Sequence, residues 1–293
     1  MEVIVGPHDY GKSGIRLLVV DRANPTHNLR EVCASVVFQG DFTSAYSGGD
    51  NSSILPTGSM LNTVFATAVD QLGNSMEDLA RFSAVRLLDS CPAAEIVTVE
   101  LTETAWERLG KSGSPDPFNF RESQNSSSSV TAKIRRGERM VITIGMSNLR
   151  LLKTTGSQFT GFLRGGDFTN LADVEDRLAA FIFDVGWEFH PEAGKLIDYG
   201  ACGTAAYSAT LDAFSRHISL SGQHTCFELG AAALQAVPEL RRVHLSILGE
   251  DILAVDLQPF GRTNPGLLYT VSRDPHSRGH LTVERPEIGA SVN

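Results

Sequence analysis

Hydrophobic and polar positions along this chain run through one pattern twice. Residues 15–20 (IRLLVV) form a compact aliphatic run with the pattern of a buried strand. Residues 32–38 (VCASVVF) follow as its hairpin partner, across DRANPTHN, a stretch of turn formers. The period then changes to that of a helix. Met60, Val64, Ala68 and Leu72 share one helical face, with Ser59 as the expected N-cap. Gly73-Asn74 breaks this run. A second helix is predicted with Leu79, Phe82, Val85 and Leu88 inward, stopping at Cys91-Pro92. Residues 96–101 and 130–134 alternate as strands, and 110–129, with GSPDP and QNSSSS, reads as a loop.

The pattern then returns. Residues 140–144 and 178–187 read as strands, 199–217 and 225–236 as helices, and 244–248 and 253–257 as strands. Each half is strand, strand, helix, helix, strand, strand. That order predicts an α+β fold of two tandem domains, residues 1–138 and 139–293, with antiparallel sheets covered by helices on one face. The same order suits a ferredoxin-like pair. A sheet with one bare face and open edges needs a partner, so a homo-oligomer is expected.

Composition narrows the function classes. The chain has 293 residues, 42% apolar and 20% charged, which are globular values. No apolar run is long enough to span a membrane, and the start MEVIVGPHDYGK lacks the basic and apolar parts of a secretion signal. The end, ASVN, is not a peroxisomal address, so a cytoplasmic protein is expected. A net charge of −9 argues against a nucleic-acid partner. Cys33, Cys91, Cys202 and Cys226 stand far apart and read as reduced thiols. His8, His27, His190, His217, His224 and His244 are scattered without ligand spacing, so no metal site is expected. There is no HExxH, GxSxG or phosphate-binding glycine loop.

Three segments carry more information than the rest. Residues 151–177 read LLKTTGSQFTGFLRGGDFTNLADVEDR, residues 10–12 read YGK, and residues 49–57 read GDNSSILPT. Together they resemble urate oxidase (uricase). The resemblance implies two tandem tunnelling-fold (T-fold) domains, whose sheets join between subunits into an oligomeric barrel. It also implies a dimer or tetramer with sites at subunit interfaces. The implied chemistry is oxidation of a purine-like ring by O2, with no metal or organic cofactor. By that resemblance Lys12 acts as a base, paired with Thr57 from a neighbouring subunit. A lysine can do so only where burial or a nearby cation lowers its pKa. Without the matched motifs, Lys12 would read as a surface lysine beside a strand.

The same resemblance makes Phe159 the ring that stacks on the substrate, and a planar heterocycle needs such an apolar face. A lone Phe is ordinarily core, and the surrounding string singles this one out. Arg177 becomes the guanidinium fork that grips two acceptors on one edge of the purine. Its bland reading is a structural pair with Asp176. Gln223 offers donor and acceptor to the far edge, and Gly58 a backbone N–H.

The chain departs from the uricase pattern at three places. PTD becomes Pro56-Thr57-Gly58, which removes a carboxylate and loosens the loop. The LPN-x-H strand end becomes SILGEDILAVD at 246–256. Aligned without gaps, Gly249 takes the place of the asparagine that holds O2 or water, and Asp251 that of the relay histidine. A shift of one residue puts Glu250 there instead. A carboxylate beside Lys12 would hold the ammonium protonated, or the pair would act as one coupled proton carrier. These losses favour a diverged oxidation of urate or a related oxo-heterocycle, with or without hydration of the oxidised ring. A genuine urate oxidase of purine metabolism giving 5-hydroxyisourate, and a non-catalytic ligand-binding homologue, are the alternatives.

Overall fold

The computed structural model describes residues 3–71, 75–111, 113–123, 127–165, 168, 171–190 and 197–286. The chain divides into two compact units, Met1–Met146 with Glu188–Tyr199, and Ser147–Trp187 with Gly200–Asn293. Each is an antiparallel sheet with helices packed on it, the α+β plan the sequence predicts.

In the first unit, β1 (Asp9–Asp21) and β2 (Asn28–Gly40) form the expected hairpin. Val32, Ala34, Val36 and Phe38 of β2 are buried in alternation, so one face of the strand meets the core. The short α1 (Thr43–Gly48) leads to α2 (Thr57–Asp70) and α3 (Met76–Ser90). Strands β3 (Ala94–Thr104) and β6 (Ser127–Arg135) complete the order β1-β2-β3-β6. Between them β4 (Trp106–Lys111) and β5 (Ser114–Glu122) pair as a separate hairpin. Helix α2 packs on β1, and α3 on β3 and β6.

Several local expectations need correction. Helix α2 starts at Thr57 with Pro56 at the N-cap, and Ser59 lies inside the first turn, its N–H donating to the Pro56 carbonyl at 2.8 Å. Gly58 is therefore helical rather than part of a loose loop. Gly73-Asn74 falls outside the described residues. In α3 the buried residues are Met76, Leu79, Ala80, Ser83, Ala84, Leu87 and Leu88, while Phe82 and Val85 remain 41% and 40% exposed. Small residues let the helix lie close on the sheet, which turns the bulky pair outward. The predicted loop at 110–129 is largely β5 and the start of β6. Its order comes from Arg108, which donates to the carbonyls of Asp116, Pro117 and His27 and lies 4.5 Å over the Phe120 ring.

Strand β7 (Val141–Lys153) carries the chain into the second unit, which holds β8 (Ala179–Phe189), α4 (Tyr199–Arg216), α5 (Gly222–Ala236), β9 (Leu240–Ala254) and β10 (Tyr269–Glu284). Helix α5 packs on β9 and β10. The two strands expected at 244–248 and 253–257 are one continuous strand, β9, which ends at Ala254. The alternation does not announce β10, because Arg273, Asp274, Pro275 and His276 interrupt it. As the edge strand it tolerates a proline, and its register against β9 breaks between Ser272 and Ser277.

The two units also share a device for ending their second long helix. After α3, the Arg136 side chain donates to the carbonyls of Leu88, Cys91 and Ala94. After α5, Arg285 does the same to Leu234, Val237 and Leu240. In both places a proline follows the cap, at Pro92 and Pro238. A guanidinium fork suits such a cluster, since helix C-termini leave carbonyls unpaired and carry negative charge. Arg136→Met and Arg285→Met should each lower stability by roughly 1–2 kcal/mol. Arg135→Met, which removes only surface ion pairs, should cost less than about 0.5 kcal/mol. Thermal melts of the three variants check this.

Candidate functional site

The site grows from a tight turn after β7. Gly156 sits at φ 72°, a left-handed conformation that glycine adopts without strain. The Asp176 carboxylate accepts from the Thr155 hydroxyl at 2.8 Å and from the Gly156 N–H at 2.9 Å, which pulls its own pKa down. Asp176 thus clamps the turn rather than pairing with Arg177. Backbone bonds then lace three segments together. Gln158 N–H donates to Ser219 O at 2.7 Å, Ser219 N–H to Gly156 O at 2.9 Å, and Arg177 N–H to Ser157 O at 2.9 Å.

A buried polar network supports that turn from beneath, and no sequence motif marked it as such. Lys153 is 9% exposed, donates to the His217 carbonyl at 3.0 Å and lies 4.8 Å over the Phe214 ring. Burial lowers its pKa. His217 Nδ1 donates to the Ala213 carbonyl at 2.9 Å, and its Nε2 lies 3.1 Å from Thr225 Oγ1, whose hydroxyl donates to the Ser221 carbonyl at 3.0 Å. Thr225 in turn meets Ser219 Oγ at 2.8 Å. The network joins the end of α4, the start of α5 and the strand carrying Lys153.

Arg177 and Phe159 come together directly. The guanidinium carbon lies 5.3 Å from the Phe159 ring centroid, and Phe162 stacks parallel to Phe159 at 5.1 Å. Arg177 Nε is buried with no hydrogen-bond partner among the described residues. Burial lowers the Arg177 pKa, and the Asp251 carboxylate acts in the opposite sense. The charge of Asp251 therefore bears on Arg177, although the carboxylate itself is exposed.

Gln223 is exposed in the first turn of α5, whose N-cap Ser221 accepts from His224 N–H. A Cβ on the neighbouring Gly222 would meet Ile247 at 3.2 Å and Phe181 at 3.6 Å; one on Gly249 would meet Phe181 at 3.8 Å. The start of α5 and Gly249 of β9 thus both border Phe181. Glu250 points elsewhere. Its side chain is 2% exposed and is held by Arg150 at 2.8 Å and Arg273 at 2.7 Å.

Lys12, Thr57 and Gly58 belong to the first unit. Lys12 is half-buried on β1, just before a register shift that Gly14, at φ 71°, accommodates. The Tyr10 hydroxyl donates to Leu55 O at 3.3 Å and accepts from Leu55 N–H at 2.9 Å. Residues two positions from Lys12 and from Thr57 are thus tied within one chain. Gly58 is exposed, and its N–H is among the first-turn donors that a helix leaves unpaired. Among the described residues, no group of three or more His, Cys, Asp or Glu side chains is placed to hold a metal ion.

A family model described as Uricase matches residues 8–133 and 142–287. The uricase of Arthrobacter globiformis is 28% identical over 285 residues, covering 97% of this chain and 91% of that protein. The uricase of Oryctolagus cuniculus is 27% identical over 281 residues, covering 94% and 93%. The crystal structure of the Arthrobacter globiformis uricase matches with a TM-score of 0.89 at 26% identity, over 100% of this chain and 98% of that one. The urate oxidase of Bacillus sp. TB-90 shares the fold, with a TM-score of 0.76 at 20% identity over 95% and 100%.

The buried network generates a pH dependence. Desolvation, together with Lys153 and His224, lowers the His217 pKa below its ordinary 6.5; the Ala213 carbonyl and Glu228 oppose this. The unfolded chain therefore takes up a proton that folded His217 refuses. Stability from this group is present above 6.5 and falls as pH drops through that value, levelling off below the folded pKa. His217→Gln should flatten the slope, as read by urea denaturation across about pH 5–8.

Proposed function

The chain belongs to the uricase family, and on that premise we propose that it oxidises urate, or a planar oxo-purine close to it, with O2 as co-substrate and no metal or organic cofactor. The observation that carries this reading is Arg177: a buried guanidinium nitrogen without a partner, held over an aromatic ring. A buried donor left unpaired costs free energy unless a ligand satisfies it. A flat ring bearing carbonyl and ring-nitrogen acceptors fits both groups, stacking on Phe159 and accepting from the fork.

In this reading Phe159, Arg177 and Gln223 hold the ring by its face and two edges. The Gly58 N–H, Lys12 and Thr57 reach the site from a second copy of the chain. Two electrons and two protons leave the ring for O2, giving H2O2; water then adds to the oxidised ring. Lys12 and Thr57 draw a proton from the ring, and Asp251 serves as the acid–base group on the opposite strand end. Gly249 and Asp251 favour a rate or substrate preference different from that of a uricase carrying asparagine and histidine there. Assembly as a dimer or tetramer is part of the proposal. Strand β1 is an edge strand, and Leu18, Phe65 and Val69 stay exposed beside it.

Purified protein should consume urate with matching O2 uptake, unaffected by EDTA; a requirement for an added metal would refute the cofactor-free reading. Arg177→Ala should weaken anaerobic urate binding by roughly 2–5 kcal/mol. Asp251→Asn should reduce turnover by roughly 100-fold while leaving urate affinity nearly unchanged; full turnover in that variant would remove Asp251 from the chemistry. Light scattering should give a dimer or tetramer, and a monomer at micromolar concentration would rule out a shared site.

A further inference from the structure

Gly249 has no side chain, yet the space where one would lie is taken. A Cβ built on Gly249 would sit 2.3 Å from Ser277 Oγ, too close for both to exist unmoved. The register explains how Ser277 arrives. It pairs with Gly249, while Ser272 pairs with Asp251, and residues 273–276 between them are looped out of the ladder. Five steps along β10 thus answer two along β9. Paired residues in an antiparallel ladder point to the same face, and so do residues two apart on one strand. Ser277, Gly249 and Asp251 therefore share a face of the sheet, the one that Phe181 and the start of α5 border.

Glu250 lies on the opposite face and grips this arrangement. Its buried carboxylate accepts from Arg150 Nε at 2.8 Å on β7 and from Arg273 Nε at 2.7 Å. Arg273 is the first looped-out residue, so the ion pair pins the base of the bulge that delivers Ser277.

We propose that Ser277 is a further functional residue of this site. Its hydroxyl holds the water that adds to the oxidised ring, and Glu250 is the positioning residue that keeps it there through Arg273. This rests on the oxidative reading given above. Ser277 is exposed on the face of Asp251. A hydroxyl both donates and accepts, so it can hold a water whose proton faces a carboxylate. As that water's oxygen bonds to the ring carbon, its proton passes to Asp251 and the electron pair of the ring C=N bond moves onto nitrogen. The oxidation itself is complete by then, with O2 already reduced to H2O2.

The test compares wild type, Ser277→Ala, Glu250→Gln, their double variant, and the swap Gly249→Ser with Ser277→Gly. Turnover of urate and anaerobic urate affinity are measured for each, alongside thermal melts. Ser277→Ala should lower kcat about tenfold, the worth of one hydrogen bond, with urate affinity and Tm unchanged. The swap should recover most of that loss, because it returns a hydroxyl to nearly the same volume. Glu250→Gln should lower kcat in the same sense and add nothing on top of Ser277→Ala, since both act through one hydroxyl. Full kcat in Ser277→Ala overturns the proposal, and additive losses overturn the role of Glu250. A wild type that takes up no O2 with urate or with related oxo-purines overturns the oxidative reading itself, and this inference with it.

Discussion

A guanidinium taken partly out of water at Arg177 is the constraint around which the second unit is built. Burial disfavours its charge, and the Asp251 carboxylate opposes that. Such a group needs firm support, because a flexible backbone would let it return to solvent. The support is main-chain and short-range. Arg177 is tied to Ser157, and Asp176 locks the turn on which Phe159 depends. The side chain next to Arg177 in sequence therefore does structural work, and Arg177 Nε is left without a hydrogen-bond partner among the described residues.

That turn needs a floor, and the floor is polar. Lys153, His217, Thr225 and Ser219 satisfy one another through single, directed contacts where an apolar core would have served for packing alone. Directed bonds fix the orientation of β7, α4 and α5 to one another more tightly than hydrophobic contact does. The cost is a dependence on protonation, since a charge on His217 would be desolvated and would face Lys153.

Strand β9 separates two tasks by its alternation. Glu250 faces two arginines and is nearly buried, while Gly249 and Asp251 face the side where Phe181 lies. A shift of one residue in alignment would exchange these roles. The geometry favours Asp251 as the group near Arg177 and gives Glu250 a mechanical part. The bulge in β10 is the counterpart: by adding residues to one strand only, it re-aims Ser277 over a glycine.

The sequence by itself determined the α+β class, the doubled order of elements and the motif strings around Phe159 and Arg177, whose side chains the fold brings together. Those depend on local periodicity, or on strings short enough to keep their identity. It missed β10, whose interior charges and proline break any alternation; only pairing with β9 makes it a strand. It set Leu79 and Leu88 on the buried face of α3 but took Phe82 and Val85 as inward where Ser83 and Ala84 are, because small residues carry weak hydrophobic signal yet allow the closest approach to the sheet. It read 110–129 as loop, since the order there comes from Arg108, outside that segment. The burial of Glu250 between two arginines, the tie between Tyr10 and Leu55, and the meeting of Ser277 with Gly249 were decided by tertiary structure alone. Each depends on which strand face or which distant backbone a side chain meets, and spacing along a chain carries no record of that.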